Sequence, residues 1–206
     1  MDAFTDLKSR GEISETDVDW KIKENKSQNG LKRYDLGCGA NKKDGFIGVD
    51  HVYNEEWKYP KEKFIGQDLD HDVWNIPTNS VIELYCSHFI EHVKDIKAFM
   101  EECYRILAPG GIITFIAPYY TSIRAFQDYT HVRPISENTF IYFNKKWMND
   151  NKLDHYNVKC DFDIKSIEYI FTSEYAPRSM EAREYARVHY LNTVSDIIVV
   201  LTTNKK

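Results

Sequence analysis

A glycine loop and two carboxylates carry the clearest chemistry in this sequence. The run Asp35-Leu36-Gly37-Cys38-Gly39 ends in Gly-x-Gly, a turn that lets the backbone approach a ligand with no Cβ in the way. Asp50 ends the next apolar run, 15 residues after Asp35. In doubly wound nucleotide folds, a carboxylate at such a position accepts hydrogen bonds from ribose hydroxyls. Each feature alone is also typical of an ordinary turn, but together they predict a site for a nucleoside-containing ligand.

The same loop departs from the pattern of a dinucleotide site. That pattern requires a third glycine three positions after the second, which seats pyrophosphate on a helix N-terminus. Lys42 occupies this position. A nicotinamide-dependent oxidoreductase is therefore a less favoured alternative, and a nucleotide-binding module without catalytic turnover is a second one.

Two histidines and a glutamate between them raise the question of a metal site. His88 and His92 are four residues apart and could share one helix face, whereas Glu91 and His92 are adjacent and diverge on a helix. The His-Glu-x-x-His order is absent, and the neighbouring sequence contains no third ligand. The sequence therefore predicts no metal site.

The elements that must position these residues alternate between strands and helices. Apolar runs predict strands at 31–36, 46–50, 63–66, 81–86 and 112–117, and helical spacing of apolar residues predicts a helix over 93–107 that Pro109-Gly110-Gly111 ends. Further along, helices are expected at 136–146 and 179–191, and strands at 164–171 and 194–203. Strands separated by helix-sized gaps indicate a parallel sheet with right-handed crossovers.

Composition limits the class of protein. The chain has 206 residues, which favours one domain, and 42% apolar and 29% charged residues are ordinary for a soluble globular protein. The formal charge of −5 argues against nucleic acid as a partner. No apolar run approaches the ~20 residues that span a bilayer. The four cysteines form no CxxC pair, which favours a reducing, cytoplasmic location.

The N-terminal part differs from the rest of the chain. Residues 1–30 are polar and contain too few apolar residues to form a core stripe. We expect them to be a loosely attached segment, flexible or folded back as a lid, in front of a domain at 31–206.

With these features in order, the sequence resembles the class I S-adenosylmethionine-dependent methyltransferases, and among them the small type-11-like domain. The resemblance covers roughly residues 31–118. It rests on the loop at 35–39, Gly48-Val49-Asp50, Gln67-Asp68-Leu69-Asp70, the run 86–92, Leu107-Ala108-Pro109-Gly110-Gly111 and the apolar strand that follows. It implies an α/β, doubly wound, Rossmann-like fold with a seven-stranded, mostly parallel sheet and an antiparallel last strand. One departure is the short gap between Gly39 and Gly48, which predicts a stunted or absent first crossover helix.

The resemblance also implies a cofactor, S-adenosyl-L-methionine, which leaves as S-adenosyl-L-homocysteine. The implied cofactor residues are the loop Gly37, Cys38 and Gly39 against the methionine moiety, Asp35 facing its ammonium, Asp50 at the ribose, Asp68 with Leu69 at the adenine, and Ser87 with His88 beneath the cofactor. The expected activity is methyl transfer to an oxygen or nitrogen atom of a small molecule or sugar. The sequence gives no indication of the oligomeric state.

The acceptor site is expected in the segment 119–134, which leaves the sheet after the fifth strand. Tyr119 and Tyr120 could stabilise a sulfonium through their ring faces, or form an aromatic wall over the sheet. His131 could act as a general base, since its unperturbed pKa is near neutrality. Arg133 could pair with an anionic group of the acceptor. The alternative is a loop ordered by its own hydrogen bonds.

Overall fold

A computed structural model describes residues 30–70 and 73–205, so the predicted N-terminal segment lies, apart from Gly30, outside the described residues. One sheet of seven strands organises this part of the chain, with the strands in the order β3-β2-β1-β4-β5-β7-β6. Their bounds are β1 Lys32–Leu36, β2 Ile47–Asp50, β3 Phe64–Gly66, β4 Val81–Ser87, β5 Leu107–Pro118, β6 Phe162–Phe171 and β7 Val194–Thr203. Strand β7 pairs antiparallel with β5 and β6, and every other pairing is parallel. The predicted fold class is confirmed.

The helices are short and stand in the connections and after the fifth strand. They are α1 Ile96–Ile106, α2 Arg124–Gln127, α3 Glu137–Ile141, α4 Lys145–Asp150 and α5 Met180–His189, with single 3₁₀ turns at Lys61–Lys63, Ile90–His92 and Asp154–Tyr156. Residues 37–46, between β1 and β2, contain no helix, as the short gap in the sequence predicted. Within 30–70 and 73–205, no helix combines the length and hydropathy of a membrane span.

Helix α1 makes the crossover from β4 to β5. Asp95 caps its N-terminus by accepting a hydrogen bond from the Ala98 amide at 3.0 Å. The face formed by Phe99, Met100 and Cys103 is buried against the sheet. The helix begins three residues later than the pattern predicted, because Val93, although buried, lies before the cap.

The prediction that Pro109-Gly110-Gly111 ends this helix was wrong. The helix ends at Ile106, and the three residues lie inside β5. The register explains their presence: Val81 pairs with Leu107 but Glu83 pairs with Ile112, so β5 carries three extra residues. Gly110 has φ +70° at this bulge. The glycines therefore allow a bulge in a central strand.

The helix predicted over 136–146 is two helices, α3 and α4. Thr139 Oγ1 accepts from the Ser136 amide at 3.1 Å, so a threonine takes the place of the usual acid in the capping box of α3. Asn144 caps α4 by accepting from the Trp147 amide at 2.8 Å. The helix is interrupted between Ile141 and Lys145 because an asparagine side chain is favoured at an N-cap, where it accepts a hydrogen bond from a free amide, over a helix interior.

Candidate active site

The glycine loop leaves β1 at the carboxyl edge of the sheet. Gly37 has φ +65° and Gly39 has φ +48°, both in the left-handed region. A Cβ on Gly37 would stand 2.3 Å from the ring of Phe89, whereas a Cβ on Gly39 would meet no atom within 4 Å. Gly37 is thus required by packing. Gly39 faces open space, where a ligand can approach the backbone.

Asp50, the last residue of β2, ties this loop to the neighbouring strand. Its Oδ2 accepts from the Gly39 amide at 2.9 Å. Its Oδ1 accepts from the His51 amide at 2.7 Å and from His51 Nδ1 at 2.8 Å. The His51 side chain is 75% exposed and can turn away. The carboxylate then has free lone pairs for two hydroxyl donors.

Two further groups of the loop have structural contacts. Asp35 is buried, and its Oδ2 accepts from the Lys43 amide at 2.6 Å. The Cys38 Sγ lies 3.4 Å from the Tyr59 hydroxyl, which donates to the Gly39 carbonyl at 2.7 Å. Burial raises the pKa of Cys38 to about 12, so this thiol is neutral near pH 7. The predicted contacts of Asp35 and Cys38 with a cofactor stay predictions.

A cavity of about 310 Å³ opens beside the ends of β2, β3 and β4. Three of the predicted cofactor residues line it: Asp50, Asp68 and Leu69. Leu69 is buried, while Asp68 is exposed and accepts from the Asp70 amide at 2.9 Å. The opposite wall consists of Phe89, His92, Val93, Lys94, Thr130 and Val132. The cavity thus joins the ends of three strands to the segment predicted to bind the acceptor.

A buried charged cluster lies where β4 ends. Ser87 is the last residue of β4, and His88, with φ +52°, follows it. His88 Nδ1 is 3.5 Å from Glu91 Oε1, and His88 Nε2 is 3.9 Å from Asp196 Oδ1. Arg124 binds Asp196 through a 2.7 Å contact. Burial raises the pKa of Asp196, and the charges of Arg124 and His88 oppose this effect.

Sequence reasoning missed Asp196 and Arg124. Asp196 is the one charged residue of strand β7 and is fully buried. A single carboxylate in such a strand is a signal, because an uncompensated buried charge is unfavourable. Arg124 gave no signal, since only the fold brings it to a residue 72 positions away.

His131 joins this cluster from the segment after α2. Its Nε2 is 4.0 Å from Glu91 Oε1, and its ring packs edge-on against His92 with centroids 4.7 Å apart. Its Nδ1 lies 3.1 Å from the Ala125 carbonyl oxygen, which accepts from the protonated Nδ1. The structure therefore brings together the His88–His92 run and His131.

Arg133 is engaged with the backbone. Its guanidinium donates to the carbonyl oxygens of Val93 and Lys94, the second at 2.7 Å. These contacts fasten the segment to the turn that follows the Ile90–His92 helix. Its predicted pairing with an anionic acceptor group stays a prediction.

Tyr119 is 1% exposed, whereas Tyr120 is 44% exposed. The Tyr119 hydroxyl accepts from Arg187 Nη1 at 3.3 Å and donates to Glu137 Oε1 at 3.4 Å. Burial raises the pKa of Tyr119, so the hydroxyl keeps its proton. This is the position of a wall residue, the alternative left open by the sequence, and the predicted contact of Tyr119 with a sulfonium stays a prediction.

Known proteins resemble this chain in part of its sequence and in its fold. Residues 50–115 match the family described as methyltransferase domain. No curated protein matches the chain. Among solved structures, an S-adenosylmethionine-dependent methyltransferase from Archaeoglobus fulgidus is similar, with a TM-score of 0.54 and 19% sequence identity. The match covers 98% of this chain and 100% of that one. An S-adenosylmethionine-dependent methyltransferase from Mesorhizobium loti has a TM-score of 0.52 and 16% sequence identity, and the match covers 94% of each chain. An arsenic(III) S-adenosylmethionine methyltransferase from Chlamydomonas reinhardtii has a TM-score of 0.50 and 18% sequence identity, and the match covers 85% of this chain and 64% of that one. These three similarities show the fold.

Proposed function

We propose that this chain, a class I S-adenosylmethionine-dependent methyltransferase, transfers a methyl group to an oxygen or nitrogen atom of a small molecule or sugar. We assign residues 31–206 to the catalytic domain. The observation that carries the proposal is the cavity at the carboxyl edge of the sheet, which has acidic residues at one wall and a buried histidine and carboxylate cluster beyond the other.

The residues at this edge fit the methyl donor. Asp50 can hold both ribose hydroxyls once His51 turns away, and Asp68 with the Leu69 backbone reaches the adenine end. Gly39 presents bare backbone to open space, where the methionine moiety fits without a side chain in the way. A cleft with these carboxylates suits a ligand that carries an ammonium and a sulfonium better than it suits a pyrophosphate.

Ser87 and His88 at the end of β4 complete the proposed cofactor site. Ser87 ends β4 and pairs with Ile116 of β5, and the His88 amide donates to the Ile116 carbonyl at 2.8 Å, so β5 holds the backbone of both residues. The left-handed backbone of His88 turns its side chain into the cluster with Glu91. We assign these two residues to the boundary between cofactor and acceptor.

The donor supplies a methyl group bound to a sulfonium, and it leaves as the neutral thioether S-adenosylhomocysteine. The protein must align the acceptor with that methyl group, exclude water and receive the proton that the acceptor loses. The segment 119–134 supplies the covering wall. His131 and Glu91 are the groups in the cluster that can take up or direct the proton.

Two measurements on the full chain test the proposal. Thermal unfolding should shift upward with S-adenosylmethionine or S-adenosylhomocysteine and stay unchanged with NAD, because only ligands of the native state stabilise it. Radiolabelled methyl transfer should then be screened against sugars, hydroxylated small molecules and amines. A shift with NAD alone would indicate an oxidoreductase. Binding of the donor without transfer to any of these acceptors would favour a binding module.

A further inference from the structure

Glu91, His92 and His131 converge on one point beside the cavity. One ligand atom from each, two imidazole nitrogens and a carboxylate oxygen, lie within 4.8 Å of one another. Glu91 and His92 belong to the single turn after β4, and His131 arrives from a segment 39 residues further along the chain. His131 is therefore a third ligand that lies far from the other two in the sequence.

Glu91 is a buried carboxylate without a hydrogen bond. It is 2% exposed, and neither Oε1 nor Oε2 has a hydrogen-bond partner among residues 30–70 and 73–205. Its nearest charged neighbours are His88 Nδ1 at 3.5 Å and His131 Nε2 at 4.0 Å. Burial of a carboxylate is unfavourable unless a cation or hydrogen-bond donors meet it. The side chain therefore points into a place that requires a positive charge.

Hydrogen bonds at Nδ1 hold both histidine rings in place. His131 Nδ1 donates to the Ala125 carbonyl. His92 Nδ1 lies 3.0 Å from Thr130 Oγ1, and this hydroxyl donates in turn to Asp128 Oδ1 at 2.7 Å. The hydroxyl proton is thus committed to Asp128, so its oxygen accepts from His92 Nδ1. In both rings the contact is made by Nδ1, and such outer contacts are what fix metal-binding histidines.

We propose that Glu91, His92 and His131 form a binding site for a divalent transition-metal ion. Two imidazoles and one carboxylate favour Zn²⁺, Co²⁺, Mn²⁺ or Fe²⁺ over Mg²⁺ and Ca²⁺, which prefer oxygen ligands. Ligands bound at about 2.1 Å from one ion stand ~3–4 Å apart, so the side chains must close by about 1 Å. Three protein ligands leave further coordination positions open.

The proposed metal site adjoins the cavity on its acceptor side. His92 and Thr130 line the cavity that also contains Asp50. Resting on the proposed function, the ion would bind a hydroxyl of the acceptor and make its proton easier to remove. Water would take up this proton as the acceptor oxygen bonds to the methyl group and the methyl–sulfur bond breaks. Glu91 and His131 would then act by holding the ion, and the favoured acceptor atom would be oxygen.

Titration calorimetry on tag-free protein, freed of metal with a chelator and desalted, tests the site directly. With Co²⁺ and with Zn²⁺ we expect one ion per chain and much weaker binding of Mg²⁺. Glu91→Gln and His131→Ala should each weaken Co²⁺ binding at least 100-fold, and Thr130→Val should weaken it 10–100-fold by releasing His92. His155→Ala is the matched control, because it removes an exposed histidine far along the chain. Cooperative thermal unfolding of each variant establishes that it folds.

Two outcomes would overturn the proposal. One is the absence of stoichiometric Co²⁺ binding to the wild-type chain. The other is binding that Glu91→Gln leaves unchanged while the variant folds, since the ion would then sit elsewhere. Neither measurement uses methyl transfer. Failure of the proposed function would instead appear as no response to S-adenosylhomocysteine, with metal binding intact.

Discussion

Replacement of Asp50 should weaken cofactor binding to two different degrees, depending on the substitution. The carboxylate offers two oxygens, and one of them already holds the Gly39 amide at 2.9 Å. Asp50→Asn keeps one acceptor oxygen and loses the charge, whereas Asp50→Ala loses both oxygens and frees the loop. Each lost hydrogen bond to ribose is worth about 1.5 kcal/mol, and every 1.4 kcal/mol changes an affinity tenfold. We therefore expect S-adenosylhomocysteine to bind about tenfold more weakly to Asp50→Asn and about a hundredfold more weakly to Asp50→Ala.

Calorimetry with S-adenosylhomocysteine measures these affinities without requiring an acceptor. Asp44→Asn and Asp44→Ala are matched controls, because Asp44 is exposed and six residues away and its loss changes the net charge equally. The reasoning is refuted if folded Asp50→Ala binds as tightly as the wild type. It is also refuted if the Asp44 variants lose as much affinity, since the effect would then be long-range electrostatics rather than a contact.

Two further predictions concern stability, both measured as the free energy of unfolding in urea. Gly37→Ala should lose about 2–4 kcal/mol of stability, because its Cβ would stand 2.3 Å from the Phe89 ring and its φ is positive. Gly39→Ala should lose only about 1–2 kcal/mol, because its positive φ is unfavourable for alanine but its Cβ would meet no atom within 4 Å. Equal losses would contradict the packing argument. Burial alone would raise the pKa of Glu102, but hydrogen bonds from Arg105 and a main-chain amide lower it overall. The Glu102 contribution is therefore present above the unfolded pKa near 4.3 and lost as pH falls through the folded value. Glu102→Gln should be less stable than the wild type at pH 7, and the difference should shrink as pH falls below the unfolded pKa. A pH-independent difference would contradict this assignment.

The sequence predicted the strands well where an apolar run has polar or glycine residues on both sides. Strands β1, β2 and β4 begin and end within one residue of the predicted limits for this reason. The start of β5 was not predictable in the same way. Leu107 and Ala108 continue the apolar pattern of α1, and Pro109 with its two glycines has the composition of a helix stop. Only the register with β4 reveals that these residues form a bulge.

The contacts of the site likewise differ in how far the sequence predicts them. Asp50 and Asp68 reach one cavity because the carboxyl ends of parallel strands share an edge, which the order of elements predicts. The contact of His131 with Glu91 depends on the path of an irregular segment, and no periodicity specifies that path. The burial of Tyr119 likewise depends on Arg187, a residue of the distant helix α5.

The insertion of β7 between β5 and β6 has a consequence for the biosynthesis of the chain. Among residues 30–70 and 73–205, strand β6 pairs with β7 alone, and the 32 positions from Phe171 to Thr203 separate their ends. Translation at ~5–20 residues per second needs roughly 2–6 s for this interval. During that time β5 is an open edge of the nascent sheet in addition to β3, and β6 has no partner. Unpaired edges of this kind invite wrong pairing or a chaperone. Conditions that slow translation between β6 and β7 should therefore lower the yield of native protein more than the same delay placed between β2 and β3.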